Sequence, residues 1–204
     1  MGKSSTARRL AEKQGAFVVA ETGSLFPRPE GAEPGSVAEQ RWFWSCNVKR
    51  WQIATEQERH YPLVVLDGDP LKLWYDWIYG IDPATWREAV MFYRHQIQAH
   101  AIGFPDTYYV LIAKTEDLRT QKAQDSIRRR RNFEKHLALI EPQKRLFCAL
   151  NTAFPRSVTF IQATSLEETL GTILEASKTR NDDDRYSLSR WNFLVRWMEQ
   201  NPVS

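Results

Sequence analysis

The chain has 204 residues, of which 42% are hydrophobic, and its net charge is +3, which suits one domain with its own core. So small a positive charge does not by itself indicate nucleic-acid binding. The two cysteines and four histidines follow no metal-binding or redox spacing. No stretch has the pattern of a signal peptide or membrane span, so we expect a cytoplasmic protein with no membrane partner.

The chain opens with the pattern Gly2-Lys3-Ser4, followed by a predicted helix with apolar residues at i, i+3 and i+4. Gly-Lys-Ser before a helix is the second half of a phosphate-binding loop. In such a loop Gly2 lets backbone N–H groups approach phosphate oxygens, Lys3 reaches the β- and γ-phosphates, and Ser4 binds Mg²⁺. Ser5 completes this set of candidate cofactor-binding residues. The alternative is an ordinary polar helix start, because the first half of the motif does not precede Gly2 in this sequence.

Two apolar runs, at 16–20 and 62–67, predict buried strands that end in acidic residues. Glu21 follows the first strand, Asp67 ends the second, and Asp69 comes two residues later. Ligands bind beyond the carboxyl ends of strands in open α/β sheets, and a carboxylate there holds Mg²⁺ directly or through water. We expect this metal role for Asp67, whereas Glu21 or Asp69 would orient or deprotonate a substrate hydroxyl. The alternative for Glu21 is a solvated loop residue.

Capping residues predict where three helices begin. Ser36 with Glu39 forms a capping box before a helix that reaches about residue 59. Asp82 before Pro83 predicts a helix to about residue 100. Ser165 begins a third helix after the last predicted strand. These starts place helices between the strands, in the alternation that α/β proteins show.

Further apolar runs at 108–113 and 157–163 predict a third and a fourth strand. The aromatic-rich stretch 71–80 could stack on a planar ligand, although packing in the core explains it equally well. A polar linker from 178 to 185 leads to a C-terminal helix.

Four consecutive arginines, Arg128–Arg131, open a helix that Pro142 is expected to kink or divide. Residues on a helix turn by about 100° each, so only one or two of these arginines can face one partner. Guanidinium groups bind phosphate bidentately, and we favour this role for residues such as Arg128 and Arg131. A solvated basic face and a nucleic-acid contact are the alternatives.

The order of these elements resembles the nucleoside- and nucleotide-kinase-like branch of the P-loop NTPase superfamily over roughly residues 2–177. The marks that carry the resemblance are Gly2-Lys3-Ser4, Glu21, Asp67 and the arginines at 119 and 128–131. The resemblance implies a three-layer α/β fold, in which a parallel sheet of five strands has helices on both faces. It implies that the arginine region is a lid over ATP, that ATP and Mg²⁺ are the cofactors, and that Glu21 or Asp67 is the catalytic base. Residues 178–204 would pack on this domain.

The family's first strand, which lies at the centre of the sheet, is missing from this chain. Its absence would leave unpaired N–H and C=O groups on two neighbours, at about 1–3 kcal/mol for each buried group. We therefore expect the natural chain to begin upstream of Met1.

The sequence predicts an ATP-dependent phosphotransferase that acts on a small hydroxyl-bearing molecule. A non-catalytic, regulatory nucleotide-binding domain is the alternative. Nucleic-acid binding is less favoured, because the chain has a single short basic run.

Overall fold

The computed structural model describes residues 3–124, 133–163, 165–178 and 184–203. They form a largely helical α/β structure with short parallel strands, which confirms the predicted α/β class. The strands are β1 (Phe17–Val19), β2 (Val64–Leu66), β3 (Tyr108–Ile112) and β4 (Val158–Gln162). The helices are α1 (Lys3–Gln14), α2 (Thr22–Leu25), α3 (Val37–Gln57), α4 (Leu73–Tyr79), α5 (Pro83–Gln98), α6 (Thr115–Gln124), α7 (Phe133–Ala138), α8 (Ile140–Ala153), α9 (Leu166–Ser177) and α10 (Leu188–Gln200). No helix in these ranges is both long and apolar enough to cross a membrane.

The three capping residues begin their helices as predicted. Asp82 Oδ1 accepts the backbone N–H groups of Ala84 and Thr85 at the start of α5, both at 3.0 Å. Ser36 and Ser165 each accept the N–H group three residues ahead, at 3.2 Å. These bonds satisfy amide groups that have no partner inside the helix.

Only half of the first capping box forms. The Ser36 N–H group donates to Glu33 O at 3.1 Å, so it is not available to the Glu39 carboxylate. Glu39 instead accepts the Gly35 N–H group and forms an ion pair with Arg28. The carboxylate still lies at the helix N-terminus, where the helix dipole stabilises a negative charge.

The division near Pro142 falls three residues earlier than the proline itself. Helix α7 ends at Ala138 and α8 begins at Ile140, so Pro142 is the third residue of α8. A proline in the first turn removes no intrahelical hydrogen bond, because those N–H groups have no partner in any case. Pro142 therefore fits at the start of a helix and does not kink one.

The strands form two separate two-stranded parallel sheets, β1–β2 and β3–β4. Val18 lies opposite Val65 in one, and Val110 lies opposite Phe160 in the other. The resemblance predicted a five-strand sheet whose central strand is missing from this chain, and in the structure β2 and β3 are not paired with each other. A run of apolar residues predicts a strand without specifying its neighbour, so the pairing itself comes from the structure.

Both sheets contribute side chains to the same two hydrophobic clusters. Leu66 and Val110 pack against the larger cluster, which is formed mainly by α3, α4, α5, α8 and α10. Val65 and Leu111 pack against the smaller cluster, which includes residues of α1 and α9. The alternation arises because successive side chains of a strand point to opposite faces. Helix α10 enters the larger cluster through Trp191, which is 1% exposed.

Candidate functional site

Six charged side chains gather beyond the carboxyl ends of β1 and β2. They are Lys3, Glu21, Arg50, Asp67, Asp69 and Lys72. Parallel strands end at the same edge of a sheet, so the loops after β1 and β2 meet here. Helix α1 brings Lys3 to the same place, and α3 brings Arg50. Among the predicted site residues, the structure therefore brings Lys3, Glu21, Asp67 and Asp69 together.

Arg50 lies beneath the two loops and is completely buried. Its guanidinium donates to the backbone carbonyl of Ala20 at 2.9 Å, of Asp67 at 2.8 Å and of Gly68 at 3.0 Å. These bonds join the chain after β1 to the chain after β2. Burial lowers the pKa of Arg50, and the carboxylates of Asp69, Glu21 and Asp67 oppose that decrease.

Asp67 is 8% exposed, and its Oδ1 has no hydrogen-bond partner among the described residues. A buried carboxylate oxygen without a donor is costly, because it has left water and gained nothing in exchange. A cation or a donor from a ligand would satisfy it. The predicted Mg²⁺ ligand is therefore placed where a metal would relieve an unfavourable state.

Asp69 differs from Asp67 because donors occupy both of its oxygens. Oδ1 accepts the Leu71 N–H group at 2.8 Å and the Tyr108 hydroxyl at 3.3 Å, and Oδ2 accepts the Trp74 indole N–H at 2.8 Å. Burial raises the pKa of Asp69, while these three hydrogen bonds favour its charged form. Asp69 thus holds the loop after β2 against β3, which leaves Glu21 as the better-placed candidate base.

Lys72 and Glu21 both approach Gly68, and they do not form an ion pair with each other. A Cβ atom built on Gly68 would lie 3.8 Å from Glu21 Oε1 and 3.8 Å from Lys72 Nζ. The φ of +90° at Gly68 also disfavours any other residue there. Burial lowers the pKa of Lys72, and the nearby Arg50 and Lys3 lower it further, whereas Glu21 and Asp69 oppose the decrease.

A buried polar network extends from Arg50 into the larger cluster. Asn47 Oδ1 accepts from Arg50 Nη1 at 3.4 Å and from the Thr22 hydroxyl at 3.3 Å. The Asn47 amide donates to the Tyr93 hydroxyl at 3.1 Å. Thr22 follows Glu21 directly, so this network fixes the start of the loop that carries the candidate base.

The aromatic residues of 71–80 divide between the core and the surroundings of the charged cluster. Trp74 packs against Phe147 beside an internal cavity of about 10 Å³, which is space for no more than one water molecule. Tyr75 and Tyr79 stack with ring centroids 5.5 Å apart, and Lys72 Nζ lies 5.7 Å from the Tyr75 ring centre. Tyr75 therefore lies beside the charged cluster, as does Trp74 through its hydrogen bond to Asp69.

The remaining predicted residues lie at the edge of the site or beyond the described ranges. Ser4 and Ser5 are exposed in the first turn of α1. Arg119 of α6 forms an exposed ion pair with Glu134, at 3.2 Å. Three further predicted residues, Gly2, Arg128 and Arg131, lie outside the residues that the structure describes.

Sequence reasoning did not find Arg50 or Lys72. A signal for Arg50 was present, since Asn47 and Arg50 are polar residues three positions apart on the same helix face as Trp44, Val48 and Trp51. A charged residue on a buried face needs partners, which in this case are three carbonyl groups. Lys72 gave no such signal, because a lysine after Asp-Pro-Leu is ordinary in a loop.

In the described ranges no group of three or more His, Cys, Asp or Glu side chains is arranged to hold a metal ion. A magnesium site with one or two protein ligands is still compatible with this, because Mg²⁺ commonly takes its other ligands from water and substrate phosphates. No protein-family model, curated protein or solved structure matches this chain. The interpretation of the site consequently depends on its geometry.

Proposed function

We propose that this protein is an ATP- and magnesium-dependent phosphotransferase that acts on a small hydroxyl-bearing molecule. The reaction would take place beyond the carboxyl ends of β1 and β2. We further propose that the fold is the three-layer, P-loop kinase-like arrangement, with β1 and β2 on one side of a central strand and β3 and β4 on the other. The shared hydrophobic clusters and the separation of the two sheets support this arrangement.

The observation that carries the proposal is that three cations and three carboxylates gather at the site without direct ion pairs between them. No ion pair joins any two of them in the part of the chain that the structure describes. Arg50 donates to carbonyl groups, Asp69 accepts from neutral donors, and Asp67 Oδ1 has no donor. A ligand that carries both signs, as a metal–phosphate complex does, would pair with cations and carboxylates at once.

The residues present fit this ligand. Asp67 and Ser4 would hold Mg²⁺, and Lys3, together with the N–H groups at the start of α1, would hold phosphate oxygens. Lys72 adds a second cation beside them. Magnesium-bound ATP supplies a phosphoryl group whose negative charge the metal partly neutralises. The arginines among Arg128–Arg131 would add positive charge near that group.

The acceptor hydroxyl would lie beside Glu21, whose exposed carboxylate can take its proton. Tyr75 offers an aromatic face on the same side of the site. Lys72 Nζ and Glu21 Oε1 both approach Gly68, so a cation lies on the same side of the site as the candidate base. The acceptor would then lie between the base and the phosphate-binding cations, as an in-line transfer requires.

A regulatory nucleotide-binding domain is the second candidate. The observation that favours it is the engagement of Asp69 in three hydrogen bonds, which leaves one carboxylate available as a base. Both candidates bind ATP, but only a phosphotransferase consumes it. Product formation with a panel of nucleosides and small alcohols therefore separates them.

Calorimetric titration with ATP, with and without Mg²⁺, tests the proposal. We expect binding that requires Mg²⁺ and weakens by at least about tenfold in Lys3→Ala and Asp67→Asn. The matched controls are Lys13→Ala, at the far end of α1, and Asp117→Asn, on the exposed start of α6. The titration is done on this chain and on a version with a strand added before α1. Absence of binding in both, or equal effects of site and control variants, would refute the proposal.

A further inference from the structure

Three polar side chains near Gly68 have no hydrogen bond or ion pair with any residue that the structure describes. They are Glu21, Lys72 and Tyr75. Glu21 Oε1 and Lys72 Nζ each lie 3.8 Å from the place that a Cβ atom on Gly68 would occupy. Lys72 Nζ also lies 5.7 Å from the centre of the Tyr75 ring. Burial raises the pKa of Tyr75, and the nearby Glu21 carboxylate raises it further. A carboxylate, an ammonium and a hydroxyl are therefore all available to one ligand.

The backbone that carries these three side chains is held in place by other residues. Two of the hydrogen bonds that Asp69 accepts, each of 2.8 Å, come from residues just before and within α4, the helix at whose start the lysine and the tyrosine lie. Arg50 donates to Ala20 O at 2.9 Å, directly before Glu21. Because the backbone is fixed before a ligand arrives, less conformational freedom is lost on binding.

The space between the carboxylate of Glu21 and the ammonium of Lys72 limits the size of this ligand. Both charged atoms lie 3.8 Å from the same point beside Gly68, yet they are too far apart to form an ion pair. Hydrogen bonds of about 2.8 Å at each end leave only a few ångströms between a hydroxyl bound to Glu21 and an anionic oxygen bound to Lys72. This separation fits a molecule whose hydroxyl lies on the carbon that carries the anionic group, or on the next carbon.

The charges around this space favour a carboxylate over a phosphate as the anionic group. The guanidinium of Arg50 is already bound to three carbonyl groups, and Lys3 is assigned to the phosphates of ATP. Lys72 is then the cation of the site that remains for a second anion. Three carboxylates also lie in the cluster, and they repel additional negative charge. A carboxylate carries one negative charge, whereas a phosphate monoester carries about two at neutral pH.

We propose that Glu21, Lys72 and Tyr75 bind a short hydroxy acid. The Glu21 carboxylate accepts a hydrogen bond from the hydroxyl of this acid, and the Lys72 ammonium and the Tyr75 hydroxyl donate to its carboxylate. That the hydroxyl is phosphorylated rests on the proposed function. In that transfer the hydroxyl oxygen bonds to the γ-phosphorus of ATP, the bond between this phosphorus and ADP breaks, and the hydroxyl proton passes to Glu21. Binding of the acid needs no nucleotide and is tested separately.

Acetylation of lysine side chains, measured by mass spectrometry, reports on Lys72 in the unaltered chain. The acid probes are lactate and glycerate. Lactamide replaces the carboxylate with a neutral amide, propionate lacks the hydroxyl, and glycerol phosphate carries a phosphate in place of the carboxylate. Only the free amine reacts, and a bound carboxylate favours the ammonium form, so saturating lactate or glycerate should slow acetylation of Lys72 by at least about tenfold. Lys49 is the internal control, because its Nζ also lies near an aromatic ring, 5.8 Å from the centre of Phe26, and its acetylation should not change.

Substitutions then assign the contacts with the acid. Lys72→Met removes the ammonium and keeps most of the stem, and Tyr75→Phe removes the hydroxyl and keeps the ring. Calorimetric titration with the tighter-binding of the two acids should show affinity weakened by at least about tenfold in Lys72→Met and by about threefold to tenfold in Tyr75→Phe. Lys49→Met is the matched control and should bind the acid as the unaltered chain does. The comparison of probes by acetylation does not depend on the folding of any variant.

Several results would overturn the inference. Equal protection of Lys72 by lactamide or by propionate would show that the carboxylate or the hydroxyl is not recognised, and stronger protection by glycerol phosphate would assign the lysine to a phosphate. Protection by none of the probes would show that no acid binds there.

The nucleotide titration separates this inference from the proposed activity. If Lys72→Met weakened the binding of magnesium-bound ATP as much as Lys3→Ala does, Lys72 would belong to the nucleotide site and the inference would be wrong. Protection by the hydroxy acids without any binding of ATP would refute the phosphotransferase and keep the acid site. Binding of ATP without protection by the acids would refute the acid site and keep the phosphotransferase.

Discussion

Replacement of Arg50 by methionine should cause a large loss of stability. The change keeps most of the side-chain volume but leaves the carbonyl groups of Ala20, Asp67 and Gly68 without their donor. Each buried carbonyl without a partner costs about 1–3 kcal/mol, and relief from burying a charged guanidinium offsets part of the sum. We expect a net decrease of about 3–5 kcal/mol in the free energy of unfolding, the range for breaking a buried charged interaction.

Urea unfolding followed by tryptophan fluorescence measures the effect. With a denaturant slope of about 2 kcal/mol/M, the midpoint should fall by about 2 M. The control is Arg87→Met on the exposed face of α5, which should change the stability by less than about 0.5 kcal/mol. Arg50→Lys should fall between the two, because an ammonium keeps the charge but cannot spread its donors over three carbonyl groups. A midpoint for Arg50→Met equal to that of the control would show that the guanidinium does not hold the two loops together.

Three further substitutions test the packing and the electrostatics elsewhere in the protein. A Cβ atom at Gly103 would lie 2.6 Å from Arg185 O, so Gly103→Ala should destabilise the protein by about 1–3 kcal/mol. In α9, a Cβ atom at Gly171 would meet nothing within 4 Å, so Gly171→Ala should stabilise the protein by about 0.5–1 kcal/mol. Thermal unfolding compares the two, and equal shifts would contradict the close approach. Burial raises the pKa of Asp76 to about 6, so as the pH rises the unfolded chain loses this proton before the folded protein does. The free energy of unfolding should therefore fall by at most about 3 kcal/mol between about pH 4 and pH 6. Asp76→Asn keeps an acceptor for the Trp44 indole N–H, so it should stabilise the protein at about pH 7 but not at about pH 4. Equal gains in the free energy of unfolding at both pH values would contradict the raised pKa.

The sequence predicted local features well because local interactions determine them. A serine or aspartate before an apolar stripe caps a helix by bonding to its own backbone, as at Ser36 and Asp82. Gly15 ends α1 with a φ of +63°, which is a conformation that glycine adopts at little cost. None of these features requires knowledge of what packs against the helix.

The apolar runs alone did not predict which strands pair, and no pattern predicted the role of Arg50, because both depend on contacts between distant parts of the chain. The apolar runs at β2 and β3 predict strands but do not specify which strand each one pairs with. The three carbonyl groups that bind Arg50 belong to residues 17–30 positions away. Their positions are known only once β1 and β2 are paired.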